Sequence, residues 1–181
     1  MRILKEDVMA VHIDFQEKLF PAIHEHEEIE RKVCMLVEGL NAFDVPYLVS
    51  QQYTKGLGET VPAVRSSVGD SFSYMEKTTF SCWETEELQQ YIRDQGKRVV
   101  VVTGVEAHIC VMQTVIDLLA AGFTVFVVAD CVGSRSKYDK KIALRRMQDE
   151  GAFLTTTESL LFELTKGAKA PQFKMISKLV K

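Results

Sequence analysis

Five residues of reactive type lie at the ends of apolar runs or in the connections between them. Asp14, Glu106, Cys110 and Asp130 fall at or just past the ends of such runs, and Lys77 stands in the aromatic-rich connection SYMEKTTFSCW. Cys110 is the most informative. It lies in TGVEAHICV, residues 103–111, between the β-branched run KRVVVVTG and the helical pattern VMQTVIDLLAAG. A cysteine at a helix start feels the positive end of the helix dipole, and a nearby ammonium lowers its pKa further. A carboxylate in reach takes the thiol proton, and backbone N–H groups at the helix start hold a developing oxyanion. Acid, ammonium and thiol converging on one crevice make an activated nucleophile. Each residue alone also has a plainer reading. Asp14 suits a cap or turn, and Asp130 suits a turn in which it bonds its own following backbone. Lys77 suits a solvated surface, and Cys110 suits a small buried apolar position.

The elements that carry these residues alternate. VMAVHID (8–14) is a short apolar run ending in an acid, and residues 27–43 place Ile29, Val33, Leu36, Val37, Leu40 and Phe43 at helical spacing. VPYLVS (45–50) reads as a second strand, and QQYTKGLGETVPAV as a long loop punctuated by Gly and Pro. A helix opens at Ser81, with Glu84 completing a capping-box pattern, and runs to about Gln95. RVVVVTG is apolar throughout, as expected of a strand covered on both faces. The helix after Cys110 reaches Gly122, a C′ residue, and FTVFVVAD reads as another buried strand. SKYD (136–139) offers a second capping box before KKIALRRMQDEG; AFLTT is a last short strand, and Thr155 with Glu158 caps ESLLFEL. The alternation predicts a three-layer α/β/α fold, doubly wound around a mainly parallel sheet of five to six strands, in one domain over 1–181. Ligands of such sheets lie outside the carboxyl ends of the strands.

The 181 residues suffice for one domain with a sizeable core. With 46% apolar residues, 26% charged residues, a net charge of −3 and no polybasic stretch, a nucleic-acid partner is not expected. MRILKEDVMAVHIDF lacks the h-region of a signal peptide, and no run nears the roughly 18 apolar residues of a membrane span, so no membrane partner is expected either. Cys34, Cys82, Cys110 and Cys131 form no Cys-x-x-Cys pair, which speaks against a zinc knuckle or a redox dithiol and fits a reducing cytoplasm. Their even number leaves disulfides open.

HIDFQEKLFP, EKTTFSCW, TGVEAHICV and VVADCVGSR resemble, in order and over essentially the whole chain, the motif set of the isochorismatase-like cysteine hydrolases, relatives of nicotinamidase and N-carbamoylsarcosine amidohydrolase. SQQYTKGLG with TTTESLLFEL is most similar to the isochorismatase-domain-containing hydrolases of unassigned substrate. The resemblance implies a catalytic triad of Asp14, Lys77 and Cys110. Cys110 would attack a carbonyl carbon of a small-molecule substrate, Asp14 would act as general acid and base, and Lys77 would hold the charges. It also implies a cis peptide between Val105 and Glu106, whose N–H groups, with those around Cys110, would face the substrate oxygen. It further implies a homo-oligomer.

Departures from the family pattern narrow the chemistry. Nicotinamidases carry a metal-binding Asp-x-His after the second strand; here Ser50 and Gln52 stand there, so no metal or other cofactor is expected. Isochorismatases proper lack the cysteine, which leaves a thiol-dependent amidase or related hydrolase of a C–N bond. Phe15, Phe20, Tyr53, Phe80 and Trp83 are placed to line the pocket, with core packing the plainer reading; Gln52, Tyr53 and His108 are further substrate contacts. His12 reads as a satisfied core histidine, and His24 and His26 as part of a solvated charged turn. Cys34 and Cys82 read as structural thiols. KAPQFKMISKLVK, within a tail over 168–181, is apolar enough to pack on a neighbouring subunit. Two other classes remain open: a redox-sensing thiol protein, which lacks an adjacent resolving cysteine in this sequence, and a non-catalytic binding protein on the same fold.

Overall fold

Every residue of β1 (Val8–Ile13) and β4 (Val99–Val105) is buried. The two-residue period of a strand sorts their side chains between two cores. Val8, Ala10, Val99 and Val101 turn to one side; Met9, Val11, Ile13, Val100 and Val102 turn to the other. Strands apolar in both alternations require a layer of helices on each face. The computed structural model, which describes residues 1–181, supplies both layers.

The remaining strands are β2 (Tyr47–Gln52), β3 (Met75–Lys77), β5 (Thr124–Gly133) and β6 (Phe153–Thr155). All six pair in parallel in the order β3-β2-β1-β4-β5-β6. The helices are α1 (His26–Asn41), α2 (Thr54–Leu57), α3 (Pro62–Val68), α4 (Glu86–Asp94), α5 (Met112–Ala120), α6 (Lys137–Asp149), α7 (Thr157–Thr165) and α8 (Phe173–Leu179). Ile29, Val33 and Leu36 of α1, Val64 of α3, Leu160, Leu161 and Leu164 of α7 and Ile176 of α8 fill the first core. Leu88 and Ile92 of α4, Val115 and Leu118 of α5, and Ala143 and Met147 of α6 fill the second. The chain leaves β1 toward β2 and β3 on one side and returns to β4 on the other. The switch point of this doubly wound sheet therefore lies between β1 and β4. No helix is long and apolar enough to cross a membrane.

Several boundaries differ from the sequence expectations, each for a local reason. The long loop after β2 contains α2 and α3, the latter started by Pro62, whose fixed φ suits a first helical turn. β3 escapes the periodicity because it is three residues long. Ser81 caps a 3₁₀ turn, Cys82–Glu84, by accepting from the Trp83 N–H, and α4 opens only at Glu86. Thr156, not Thr155, caps α7, accepting from the Ser159 N–H. β5 runs past Asp130 to Gly133, with a register shift opposite Val102–Gly104. The tail placed above at a subunit interface seats α8 on its own chain: Ile176 is fully buried in the first core, and Phe173 faces Phe162 with ring centroids 6.4 Å apart.

Candidate active site

Asp14 is the first residue past β1 and adopts a left-handed backbone (φ +55°), which Asp tolerates better than most residues. Its N–H donates to Ser50 O (3.2 Å) and its carbonyl accepts from the Gln16 N–H (2.8 Å). The turn thereby aims the carboxylate along the end of the sheet. Oδ1 accepts from Ser50 Oγ and Oδ2 from Lys77 Nζ, both at 2.7 Å. Lys77 ends β3, two strands away, and spans β2 to reach Asp14. Its ammonium also donates to Gln52 Oε1 (2.7 Å) and Thr79 O (3.3 Å), so all three donors are used. Burial works hardest against the charged lysine, but the Asp14 charge and hydrogen bond, with the nearby Cys82 and Cys110 sulfurs, together outweigh it, and the Lys77 pKa is raised.

Cys110 approaches from β4. After Val105 the peptide to Glu106 is cis, and Ala107–Val111 forms a π-helical turn that leads into α5. The strand end is brought tight against β1 by Gly104 (φ +140°): a Cβ there would collide with the backbone and side chain of Ile13. The Glu106 carboxylate is taken up by Arg135, accepting from its backbone N–H (3.0 Å) and Nε (3.1 Å). His108 Nδ1 lies 2.9 Å from Ser134 Oγ. Both contacts pin the turn that carries Cys110 to the loop between β5 and α6.

The thiol of Cys110 is buried and lies within the field of the Asp14 carboxylate. Its pKa is pushed up to about 12, first by burial and then by the Asp14 charge, with Lys77 pulling the other way. This reverses the low thiol pKa expected from a helix start beside an ammonium. The cysteine lies within the π-helical turn rather than at the first turn of α5, and the carboxylate acts on it more strongly than the ammonium. The resting form is a neutral thiol beside a carboxylate.

The expected substrate contacts separate. Tyr53 (φ +38°) and Phe80 stand half-exposed beside Lys77; the Tyr53 N–H donates to Lys77 O, and Phe80 follows the carbonyl of Thr79 that Lys77 contacts. Gln52 is occupied, with Oε1 on Lys77 and Nε2 donating to Thr78 O (2.9 Å). Phe15 is buried in the first core, edge-on to Phe20 at 5.3 Å. Trp83 packs against Phe123 and under the Arg93 guanidinium. Asp130 bonds not its own following backbone but Thr157 at the start of α7, accepting from its N–H (2.9 Å) and hydroxyl (3.1 Å). His12 Nδ1 meets Thr103 Oγ1 at 2.8 Å inside the sheet. Ser50 and Gln52, at the positions of a metal-binding segment in nicotinamidases, instead hold Asp14 and Lys77.

Ser50 carried no legible signal of its place beside Asp14. Ser50 pairs with Ile13 in the β1–β2 register, which alone puts it beside Asp14. The larger surface cavities do not open on Cys110. One of about 630 Å³ runs along α6, lined by Lys137, Lys140, Lys141 and Arg145. Another of about 580 Å³ is lined by Thr79, Trp83, Glu84, Glu86, Gln89 and Asp117.

Residues 8–159 match the isochorismatase domain family. An isochorismatase domain-containing protein 2 from Danio rerio is 38% identical over 168 residues, 92% of this chain and 83% of that protein. The protein 2A of Mus musculus is 37% identical over 99% of this chain and 85% of its own length. Among solved structures, the MAR1 ribonuclease of Caenorhabditis elegans superposes with a TM-score of 0.93 at 34% identity, covering 99% of this chain and 92% of that one. The Escherichia coli YcaC gene product, an octameric hydrolase of unknown specificity, shares the fold with a TM-score of 0.92 at 23% identity, over 99% of this chain and 89% of its own. This chain belongs to the isochorismatase family of hydrolases.

Proposed function

We propose that this chain hydrolyses a C–N bond of a small amide-like molecule through a covalent adduct on Cys110. The observation that carries the reading is the Asp14 carboxylate, buried, gripped by Lys77 and Ser50 and close enough to the Cys110 thiol for its charge to act on it. As Sγ attacks the carbonyl carbon, the thiol proton passes to Asp14, and the N–H groups of the Val105–Cys110 turn face the developing oxyanion. Protonated Asp14 returns the proton to the departing amine as the C–N bond breaks, leaving a thioester. Asp14 then takes a proton from water, which attacks the thioester and frees the acid and the thiol. Lys77 balances the carboxylate's charge between steps.

Tyr53 and Phe80 form an apolar rim beside this cluster, suited to a small uncharged substrate. The nematode neighbour bears the name of a ribonuclease. A net charge of −3 gives little attraction for a phosphate backbone, and a thiol–carboxylate pair suits acyl carbon better than phosphorus. We further propose a homo-oligomer, to be read by light scattering.

The test is intact-protein mass spectrometry after incubation with a panel of small amides and carbamoyl compounds, wild type beside Asp14→Asn, Lys77→Ala and Cys110→Ala. A substrate-derived mass on Cys110 that depends on Asp14 and Lys77 is expected. Turnover retained in Cys110→Ala overturns the reading.

A further inference from the structure

Cys82 is a buried nucleophilic side chain beside the site that the proposed hydrolysis does not use. It lies in the 3₁₀ turn before α4 and is wholly inaccessible. Its backbone N–H donates to Thr114 Oγ1 (2.9 Å), and the same hydroxyl donates to the carbonyl of Cys110 (2.7 Å). The two main chains are thus two hydrogen bonds apart. Their thiols share one charged neighbourhood. The charges of Lys77 and Asp14 act on both, and Ser50 Oγ donates to Asp14 Oδ1 at 2.7 Å. Both cysteines belong to the second core. Cys131, by contrast, sits in the first core beside Thr157, across the sheet, and Cys34 is half-buried on α1.

We propose that Cys82 is the resolving thiol of Cys110, so that a hydroperoxide reaching the site leaves an intramolecular Cys82–Cys110 disulfide. Cys110 gives its proton to Asp14 and attacks the terminal peroxide oxygen. The O–O bond breaks, the leaving oxygen takes a proton and departs as water or alcohol, and Cys110 becomes a sulfenic acid. The Cys82 sulfur then attacks the Cys110 sulfur, the S–O bond breaks, and the hydroxyl leaves as water with the Cys82 proton, relayed by Ser50 and Asp14. Two thiols lose two electrons and two protons, and the peroxide is reduced. Burial pushes the Cys82 thiol up to about 11, which keeps it neutral toward substrate. The pair supplies the resolving partner that the spacing of the cysteines along the chain does not reveal. Closing it would remove Cys110 from catalysis reversibly and shield it from irreversible sulfinic acid.

The experiment treats the full chain with hydrogen peroxide, blocks free thiols and maps peptides without reduction. Wild type is expected to lose two hydrogens, with the Cys82 peptide joined to the Cys110 peptide, and dithiothreitol is expected to restore both thiols. Cys82→Ser is expected to carry Cys110 on to two or three added oxygens that dithiothreitol does not remove. The proposal fails if wild-type Cys110 over-oxidises as fast as in Cys82→Ser, or pairs with Cys34 or Cys131. The wild-type map decides the matter even if Cys82→Ser folds poorly. Amide turnover is measured on untreated protein, so the hydrolase reading and the disulfide stand or fall separately.

Discussion

The Lys77 ammonium lies 2.7 Å from Asp14 Oδ2, and neither side chain is exposed to solvent. Two unit charges with no access to water are tolerable only while each neutralises the other and every remaining donor or acceptor is bonded. Here Ser50, Gln52 and Thr79 complete the set. Removing one partner strands the other.

Lys77→Ala is therefore expected to destabilise the fold by about 3–5 kcal/mol, because a buried carboxylate is left uncompensated. Asp14→Asn combined with Lys77→Met should cost less than the two single changes added together. Urea unfolding of the four proteins measures the coupling; strict additivity would show that the pair is not acting as a unit.

The thiol gives a prediction of opposite sign for reactivity and turnover. With the Cys110 pKa pushed up to about 12, alkylation by iodoacetamide should still be rising through the highest pH the fold survives. Asp14→Asn removes a charge that raises that pKa, so alkylation at fixed pH speeds up, about tenfold for each unit the pKa falls. Amide turnover should vanish in the same variant. A wild-type plateau in alkylation rate near neutral pH would mean a pre-formed thiolate and sink this account.

His12 makes the fold acid-sensitive. Burial lowers its pKa to about 4 from an ordinary 6.5. Between those values the unfolded chain binds a proton that the folded chain refuses, so stability is complete above about 6.5 and falls as pH drops toward 4. The loss amounts to about 3 kcal/mol. His12→Gln should flatten stability over that window in pH-dependent urea unfolding; an unchanged slope would assign the acid sensitivity to other groups.

Gly104→Ala tests how tightly β1 and β4 must approach. The added Cβ meets Ile13, and φ +140° is strained for any side chain, so a loss of more than about 1 kcal/mol is expected. Because Asp14 follows Ile13 directly, turnover should fall along with the unfolding midpoint. Turnover that keeps its wild-type value would show that this approach does not set the site.

Several parts of this protein were written locally in the chain. The continuous apolar runs at 99–105 and 124–128 are visible without a structure, because a strand buried on both faces has no polar alternation to hide it. The same holds for the Ser136 cap, which accepts from the Asp139 N–H as its spacing implies. Asp14 and Cys110 were legible as strand-end residues for a related reason: they interrupt or follow those runs. The short elements α2, α3, β3 and α8 were not legible, since three to seven residues carry too little periodicity and tertiary contacts decide them.

The sequence by itself determined the alternating architecture, and with it which residues stand at the ends of β1 and β4, because burial on two faces imposes a pattern on each segment independently. It did not determine who meets whom. Strand register places Ser50 beside Asp14; a lysine side chain spanning β2 joins Lys77 to them; a single threonine on α5 ties Cys82 to Cys110. Phe15 and Trp83, equally plausible as pocket residues in the sequence, went to the core and to an Arg93 stack. The direction of the Cys110 pKa belongs to the same class. It is the sum of burial and of charges brought in from β1 and β3, and no local spacing encodes that sum.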